Sequence, residues 1–555
     1  MPALLAAHLA LAAWGIARNS VTFDENEHVP VGVAIVTRGD FMLAPEHPPL
    51  AKSLYGLAAL AAGARVPPRL PPGQYNEFDY GQEFARLNAD RYVRVYSAAR
   101  LVSALFSVLL ALLVWRWARR LSGPGGGLMA LALYALAPEA LAHAAVAGID
   151  MPFALGFTAS CYALWRFARG GGWRWWALMS LAVSLTLLAS FNALQLAPVF
   201  LALALLAPLG GRPRSLAQPR SIARLWVGLA LLPLVVLVML QIGYLGRTSW
   251  QPIAHMTFNS EQLQHLQGSA PWLILPLPGP FIAGLDYVGA MRGIEALTLL
   301  MGRVAPGTHW YYAPFALLIK WPAGFLGLIA LRSSSAARAP RARRRAWSER
   351  FVWLPALVMI LFAMFVTRLN VGIRYLLPMV PMLAIWIGGL VAPAARVALG
   401  RRRTHERLAL AAAALAILAC AEAAAAEPYP LSFFNHLAGA HPDQLINDSA
   451  VDWGQGLVAL RADLARRGIR RVYLTYHGTT NPSLYGIDWV PYVGGEFGNQ
   501  SDWFAVSSYY LMGLPQRMLT PQGRTKEFLR FDLAYFRQLP PIAHPAGCMY
   551  LYRLR

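Results

Sequence analysis

Long apolar stretches recur from one end of this chain to the other, and no other feature limits its possible folds so tightly. They fall at about 3–17, 96–115, 125–143, 151–166, 175–191, 193–209, 225–244, 313–331, 351–366, 375–394 and 408–426. Each is close to the ~20 residues with which a helix crosses about 30 Å of hydrocarbon, and a helix satisfies its own backbone polar groups there. Only 14% of the 555 residues are charged, against roughly 25% in an average soluble domain, so a single water-soluble globule is excluded. The chain reads as a polytopic α-helical membrane protein with eleven spans.

The formal net charge of +22 would suggest nucleic acid as a partner in a soluble protein. Here the basic residues gather instead in short loops between apolar runs, which reports orientation. With a cytoplasmic N-terminus, alternation places five loops inside, around 116–120, 166–174, 212–224, 332–350 and 396–407, and these short loops hold 22 of the 46 Arg. Only Lys52, Lys320 and Lys526 are Lys, and the Arg-, Ala- and Leu-rich background points to a GC-rich bacterial genome, so the membrane is expected to be a bacterial inner membrane. The first run lacks a basic n-region and a cleavage site, so it reads as a retained helix rather than a signal peptide. The three cysteines, Cys161, Cys420 and Cys548, give no disulfide framework or zinc spacing.

Three larger pieces then face outward: 18–95, 245–312, and everything after about Glu427, together with short loops at 148–151 and 367–373. The stretch 48–62 is helical in pattern and flanked by prolines, which suits a helix along the membrane surface. The last piece changes character, with an amphipathic segment at 457–467 and strand-like runs at 471–476, 503–510 and 549–552. This divides the chain into a transmembrane domain, 1–426, and a small extracytoplasmic α/β domain, 427–555.

Acids are scarce, 27 in all, so their positions inform. Asp24, Glu25 and Glu27 lie just beyond the first span in FDENEH; they read equally as a solvated first helical turn and as a reactive cluster. Asp150 sits in AHAAVAGIDMP, in a very short outer loop where an ionisable group must face the bundle interior or the water boundary. It suits a helix N-cap as well. In PEHPPLAK, Glu46 and His47 precede a proline pair and Lys52 falls near the end of the first turn, placed either to hold a phosphate as a point charge or to snorkel at the interface. Arg100 lies within the second run, and Arg374 with Tyr375 opens the tenth in NVGIRYLLPMVP; both lie outside, where the positive-inside rule would not put them. Pairing with a phosphate, or with Asp24 and Asp150, accounts for them. His309 precedes a Trp-Tyr-Tyr belt at the eighth span. No phosphate-binding glycine loop of suitable spacing occurs, and GPGGG at 123–127 reads as a turn.

Taken in order, FDE (23–25), HPPLAK (47–52), Arg100, IDMP (149–152), WYY (310–312) and GIRYLLP (372–378) resemble the lipid-carrier-dependent glycosyltransferases of the GT-C class. The nearest resemblance is to glycosyltransferase family 39, the group of protein O-mannosyltransferases and the aminoarabinose transferase of lipid A. FFNHLAGAHP, with Asn435, and VDWGQGL, with Asp452 and Gln455, look like a stretch of bacterial members with an appended outer domain. Ala51 stands where that family often has Gly in HPPLGK. The resemblance implies a GT-C-like bundle with an outward cavity, into which a polyprenyl-phosphate sugar donor enters from the bilayer while a hydroxyl-bearing acceptor arrives from water.

By that similarity Asp24 is expected to be the base of an inverting transfer, with Glu25 and Asp150 positioning the acceptor or stabilising charge on the sugar ring. Lys52, Arg100 and Arg374 are expected at the lipid phosphate, with Glu46, His47, His309 and Tyr375 as further binding residues. No cofactor is required, although Glu46, His47 and His309 form a suitable ligand set for a divalent metal. Two other classes fit eleven spans: a secondary transporter, which would carry acids near mid-helix in paired halves, and a noncatalytic envelope assembly protein, which would need neither Asp24 nor Asp150. Trp453, Tyr476, Trp489 and Trp503 suit either sugar stacking or a domain core.

Overall fold

Among the described residues the eleven apolar runs fold mainly as helix, but not as eleven straight rods. The computed structural model describes residues 1–69, 77–209, 219–248, 250–291, 297–338, 343–367, 370, 372–391, 402–514, 517–519, 525–527 and 533–554. Parts of the inner loops expected at 212–224, 332–350 and 396–407, and of the outer loop at 367–373, lie outside them. The first run is α1 (Pro2–Arg18), and the outer segment after it folds into α2 (Glu25–Arg38), α3 (Pro49–Ala61) and α4 (Glu77–Leu87). The second and third runs join in α5 (Tyr92–Ala135), broken at Gly123, whose φ of 82° an L side chain rarely adopts, with Pro124 directly after it. Helices α6 (Pro138–Ala144), α7 (Asp150–Ala168), α8 (Trp173–Ala189), α9 (Leu196–Leu206) and α10 (Pro219–Gly243) follow.

The outer segment 245–312 holds α11 (Glu261–Ser269), α12 (Gly279–Met291) and the hairpin β1 (Leu297–Leu300) with β2 (Arg303–Pro306). The eighth run is bent by 112° between α13 (Tyr312–Lys320) and α14 (Ala323–Arg338). Pro322 ends the first helix, and Asn435 fixes the corner by donating to the carbonyls of Leu318 and Trp321 at 2.7 and 2.6 Å. Next come α15 (Arg343–Phe365), α16 (Met379–Ile387) and the helix Arg402–Ala425. Among the described residues four helices are long and apolar enough to cross a membrane, or five with the bent pair as one span, fewer than the eleven runs suggested. Most of the rest are shorter, and α7, at 19 residues, is not apolar enough. Along α10, Leu234, Val238 and Ile242 stand 61%, 58% and 62% exposed at a spacing of four, an apolar stripe turned outward as lipid contact demands.

The C-terminal region carries a sheet of strand order β4–β3–β5–β8, from β3 (Arg471–Thr475), β4 (Asp488–Pro491), β5 (Trp503–Ser507) and β8 (Met549–Arg553), with β6 (Arg517–Leu519) and β7 (Thr525–Glu527) as a separate antiparallel pair. Strand β3 runs parallel to β4 and β5, while β8 closes the far edge antiparallel to β5. The helix Leu457–Arg466 packs beside it, at the place the amphipathic pattern indicated. Strand β4 had no sequence signal, because its Pro491 is tolerated only on an edge. Leu457, Leu474, Met549 and Leu551 share one buried core with Tyr55, Phe84, Tyr92 and Tyr96 of the N-terminal outer helices.

Candidate active site

The site begins where α1 ends. The backbone N–H of Ser20 donates to the Gln455 carbonyl at 3.0 Å and that of Phe23 to the Trp453 carbonyl at 2.9 Å. The Ser20 hydroxyl donates to the Gly454 carbonyl at 2.7 Å. This short ladder lays the C-terminal DWGQG turn along residues 20–23 and delivers Trp453 to the head of α2. There its indole N–H donates to Asp24 Oδ1 at 3.3 Å, while Arg374 Nη1 pairs with Asp24 Oδ2 at 2.8 Å. The Arg374 guanidinium also lies over the Trp453 ring, 4.9 Å from its centroid, and over Tyr375 at 5.2 Å. Asp24 keeps 20% of its side chain exposed. Burial pushes its carboxyl up, but the Arg374 charge and hydrogen bond, with smaller help from His28 and His47, hold it below the usual carboxylate range.

Glu25 is placed otherwise. Fully buried, it accepts from Arg100 Nε and Nη2 at 2.7 Å each, from the Ala147 and Thr22 backbone at 2.8 Å each, and from the Thr22 hydroxyl at 3.0 Å. The remaining N–H groups of Arg100 go to the carbonyls of Ile16, Asn19 and Ser20. All five guanidinium donors are therefore engaged. The pair fastens α5 to the end of α1 and leaves neither member directed at a ligand.

One turn further along α2, His28 Nδ1 meets the Ala147 carbonyl at 3.2 Å and Nε2 faces Glu27 Oε1 at 4.0 Å. The His47 ring stands edge-on to His28, centroids 5.3 Å apart. His47 reaches this place because Pro48 and Pro49 begin α3, and α3 lies hard against α2. A methyl on Gly32 would meet the Lys52 carbonyl at 1.9 Å, and one on Gly56 the Gly32 carbonyl carbon at 2.2 Å, so both crossing positions require glycine. Lys52 is 1% exposed and donates to the Ala44 carbonyl at 2.5 Å, a buried cation rather than a snorkelling one. Burial lowers its ammonium, opposed by Glu46 and Glu27. Burial and the Glu46 charge push the Glu27 carboxyl up. Among the described residues, the group of three ligands whose donor atoms all lie within 4.8 Å is Glu27, His28 and His47. It shares only His47 with the set expected from sequence; Glu46 lies beside it, and the half-buried His309 has its ring against Tyr311, 5.5 Å away.

Asp150 is the first residue of α7, 2% exposed, and makes no N-cap hydrogen bond; its Oδ2 faces His143 Nδ1 at 3.5 Å. The His143 ring is 6.1 Å from that of Trp453, and Arg374 lies within electrostatic reach of both Asp24 and Asp150. The fold thus gathers Asp24, Asp150, Arg374 and Tyr375 around Trp453, with Glu46, His47 and Lys52 on the neighbouring side. It keeps Glu25 and Arg100 beneath them, and His309 apart. Sequence reasoning left out His143 and the first-turn pair Glu27 and His28 as ligands, and offered Trp453 only as an aromatic of the outer domain. AHAAVAGID placed His143 seven residues from Asp150, a spacing that a helix of seven residues followed by a loop can fold back on itself.

Residues 94–240 match the family model of dolichyl-phosphate-mannose-protein mannosyltransferases, a GT-C family and the class that the motifs resemble. The matched segment holds Arg100, His143 and Asp150 but not Asp24, His47 or Arg374. Among solved structures, ArnT from Cupriavidus metallidurans bound to undecaprenyl phosphate is 15% identical, over 87% of this chain and 73% of that one, with a TM-score of 0.47. ArnT in the apo state is 13% identical over 99% and 97%, TM-score 0.48. The archaeal oligosaccharyltransferase AglB from Archaeoglobus fulgidus, in complex with an inhibitory peptide and a dolichol-phosphate, is 12% identical over 97% and 75%, TM-score 0.47. None of the curated proteins compared matches the chain.

Proposed function

We propose that this chain is a membrane-embedded glycosyltransferase that moves a sugar, with inversion, from a polyprenyl-phosphate-linked donor to a hydroxyl acceptor on the outer face of the membrane. The observation that carries the reading is Asp24, a carboxylate kept ionised by Arg374 and aimed by Trp453 while part of it stays open. Its oxygen takes the proton of the acceptor hydroxyl as that hydroxyl attacks the anomeric carbon; a positioned base of this kind contributes typically 10² to 10⁴-fold. Asp150, steadied by His143, stabilises positive charge on the ring. Arg374, whose Nε has no hydrogen-bond partner, and Lys52 face the charge that gathers on the leaving phosphate. Glu25 and Arg100 hold the frame rather than the substrate. The N-terminus lies in the cytoplasm, the sheet-bearing C-terminal region outside, and the membrane is a bacterial inner membrane.

The test compares wild type, Asp24→Asn and Asp24→Glu at equal protein in membranes, following label from lipid-linked sugar into extracted envelope. Asp24→Asn should lose at least ~10²-fold of the turnover and Asp24→Glu should keep more. Turnover within a few-fold of wild type in Asp24→Asn removes the assignment.

A further inference from the structure

The first turn of α2 holds a group that the transfer chemistry leaves idle. His28 Nδ1 lies 3.2 Å from the Ala147 carbonyl, which can only accept, so Nδ1 carries the proton and Nε2 of the neutral ring offers its lone pair. That lone pair points at Glu27 Oε1, 4.0 Å away, also an acceptor. Neither atom has a hydrogen-bond partner, although Glu27 and His28 are 5% and 1% exposed. Two buried acceptors facing each other are costly unless a proton or a metal cation stands between them. The third donor, His47, lies beside them with all three ligand atoms within 4.8 Å.

We propose that Glu27, His28 and His47 bind a divalent metal ion of the zinc class. Two imidazoles and a carboxylate are a ligand set that zinc takes with one position left open. At bonds of about 2.05 Å, tetrahedral ligands stand roughly 3.3 Å apart, so rotations of under an ångström or so close the set. The hydrogen bond from Nδ1 to a backbone carbonyl is the usual support that fixes the tautomer of a metal-bound histidine. The surrounding charge agrees. Asp24, Glu46 and Asp150 act on this group against the two fixed cations Lys52 and Arg374. Lys52 is itself turned to the Ala44 carbonyl. His47 is the half-buried member and gives the ion its way in.

The inference stands apart from the transferase reading, because it is read from bound metal. Full-length chain without a histidine tag, purified in detergent, is equilibrated with zinc and then with cobalt(II), and metal per chain is measured after removal of free ion. Wild type should retain about one ion per chain, with the intense visible absorption of four-coordinate cobalt. Glu27→Gln, which keeps shape, should weaken retention by at least ~10-fold. His28→Ala and His47→Ala should abolish both signals, and His265→Ala, on an exposed helix, should change neither. Retention by wild type no greater than by Glu27→Gln, or equal loss in His265→Ala, overturns the site. If the alanine variants do not fold, Glu27→Gln against His265→Ala decides alone.

Discussion

Glu25 commits both oxygens to five donors, while Asp24, one residue earlier, accepts from Arg374 and Trp453 and keeps an open edge; the neighbours decide what each carboxylate can do. Removing one partner of the Glu25–Arg100 pair strands a buried charge, which costs about 3–5 kcal/mol. Arg100→Met should therefore lower the melting temperature sharply, and Arg100→Lys should restore little, since an ammonium cannot reproduce the two-pronged pairing. The double variant Arg100→Met with Glu25→Leu should be milder than Arg100→Met alone, as thermal unfolding in detergent will tell. Asp452 gives a second prediction. Burial pushes its carboxyl up to about 7, against the pull of the Gly454 and Tyr509 N–H groups. Because the folded value exceeds the unfolded ~3.9, its contribution to stability is complete below pH ~4 and is lost as pH rises through about 7. Wild-type melting temperature should fall between pH ~4 and about 7 and level off above, and Asp452→Asn should flatten that fall. Nothing local in FDENEH distinguishes Asp24 from Glu25, because the partners that separate them lie 75 to 429 positions away.

At the scale of elements, α2 and α3 carry most of the site and meet backbone to backbone at Gly32 and Gly56. Gly32→Ala or Gly56→Ala should push the helices apart at a cost of ~1–3 kcal/mol or more, displacing His47 and Lys52 from Asp24. Activity should fall further than stability in both. Ala51→Gly, which restores the residue frequent in the resembling family, should cost only about 1 kcal/mol and keep activity. Differential scanning fluorimetry beside the label-transfer assay separates these outcomes. The apolar runs showed where helices would form, since hydropathy is a local property. They did not show which helices stay straight: the 112° corner at Trp321 and Pro322 is fixed by Asn435, more than a hundred residues on, and the kink at Gly123 sits between two runs with no loop to separate them. The C-terminal strands were legible where alternation was clean, at β3, β5 and β8, and hidden at the Pro-bearing edge strand β4.

Across the whole molecule, the C-terminal region is part of the site. The ladder between residues 20–23 and 453–455 seats Trp453 on Asp24, and Tyr55, Tyr92 and Tyr96 share a core with the sheet. Trp453→Phe keeps the ring but loses the indole N–H, so turnover should drop roughly tenfold for one hydrogen bond to a charged group, while the melting temperature stays near wild type. If the C-terminal region only tethered a partner, that variant would be silent. The identity of the donor is measured as sugar release from a radiolabelled panel of polyprenyl-phosphate sugars and nucleotide sugars, by purified wild type and Asp24→Asn, with extracted envelope as acceptor. Release is expected from one lipid-linked donor and not from the nucleotide sugars, and Asp24→Asn should lose it. Release from a nucleotide sugar, or equal release by both proteins, would contradict the proposed reaction.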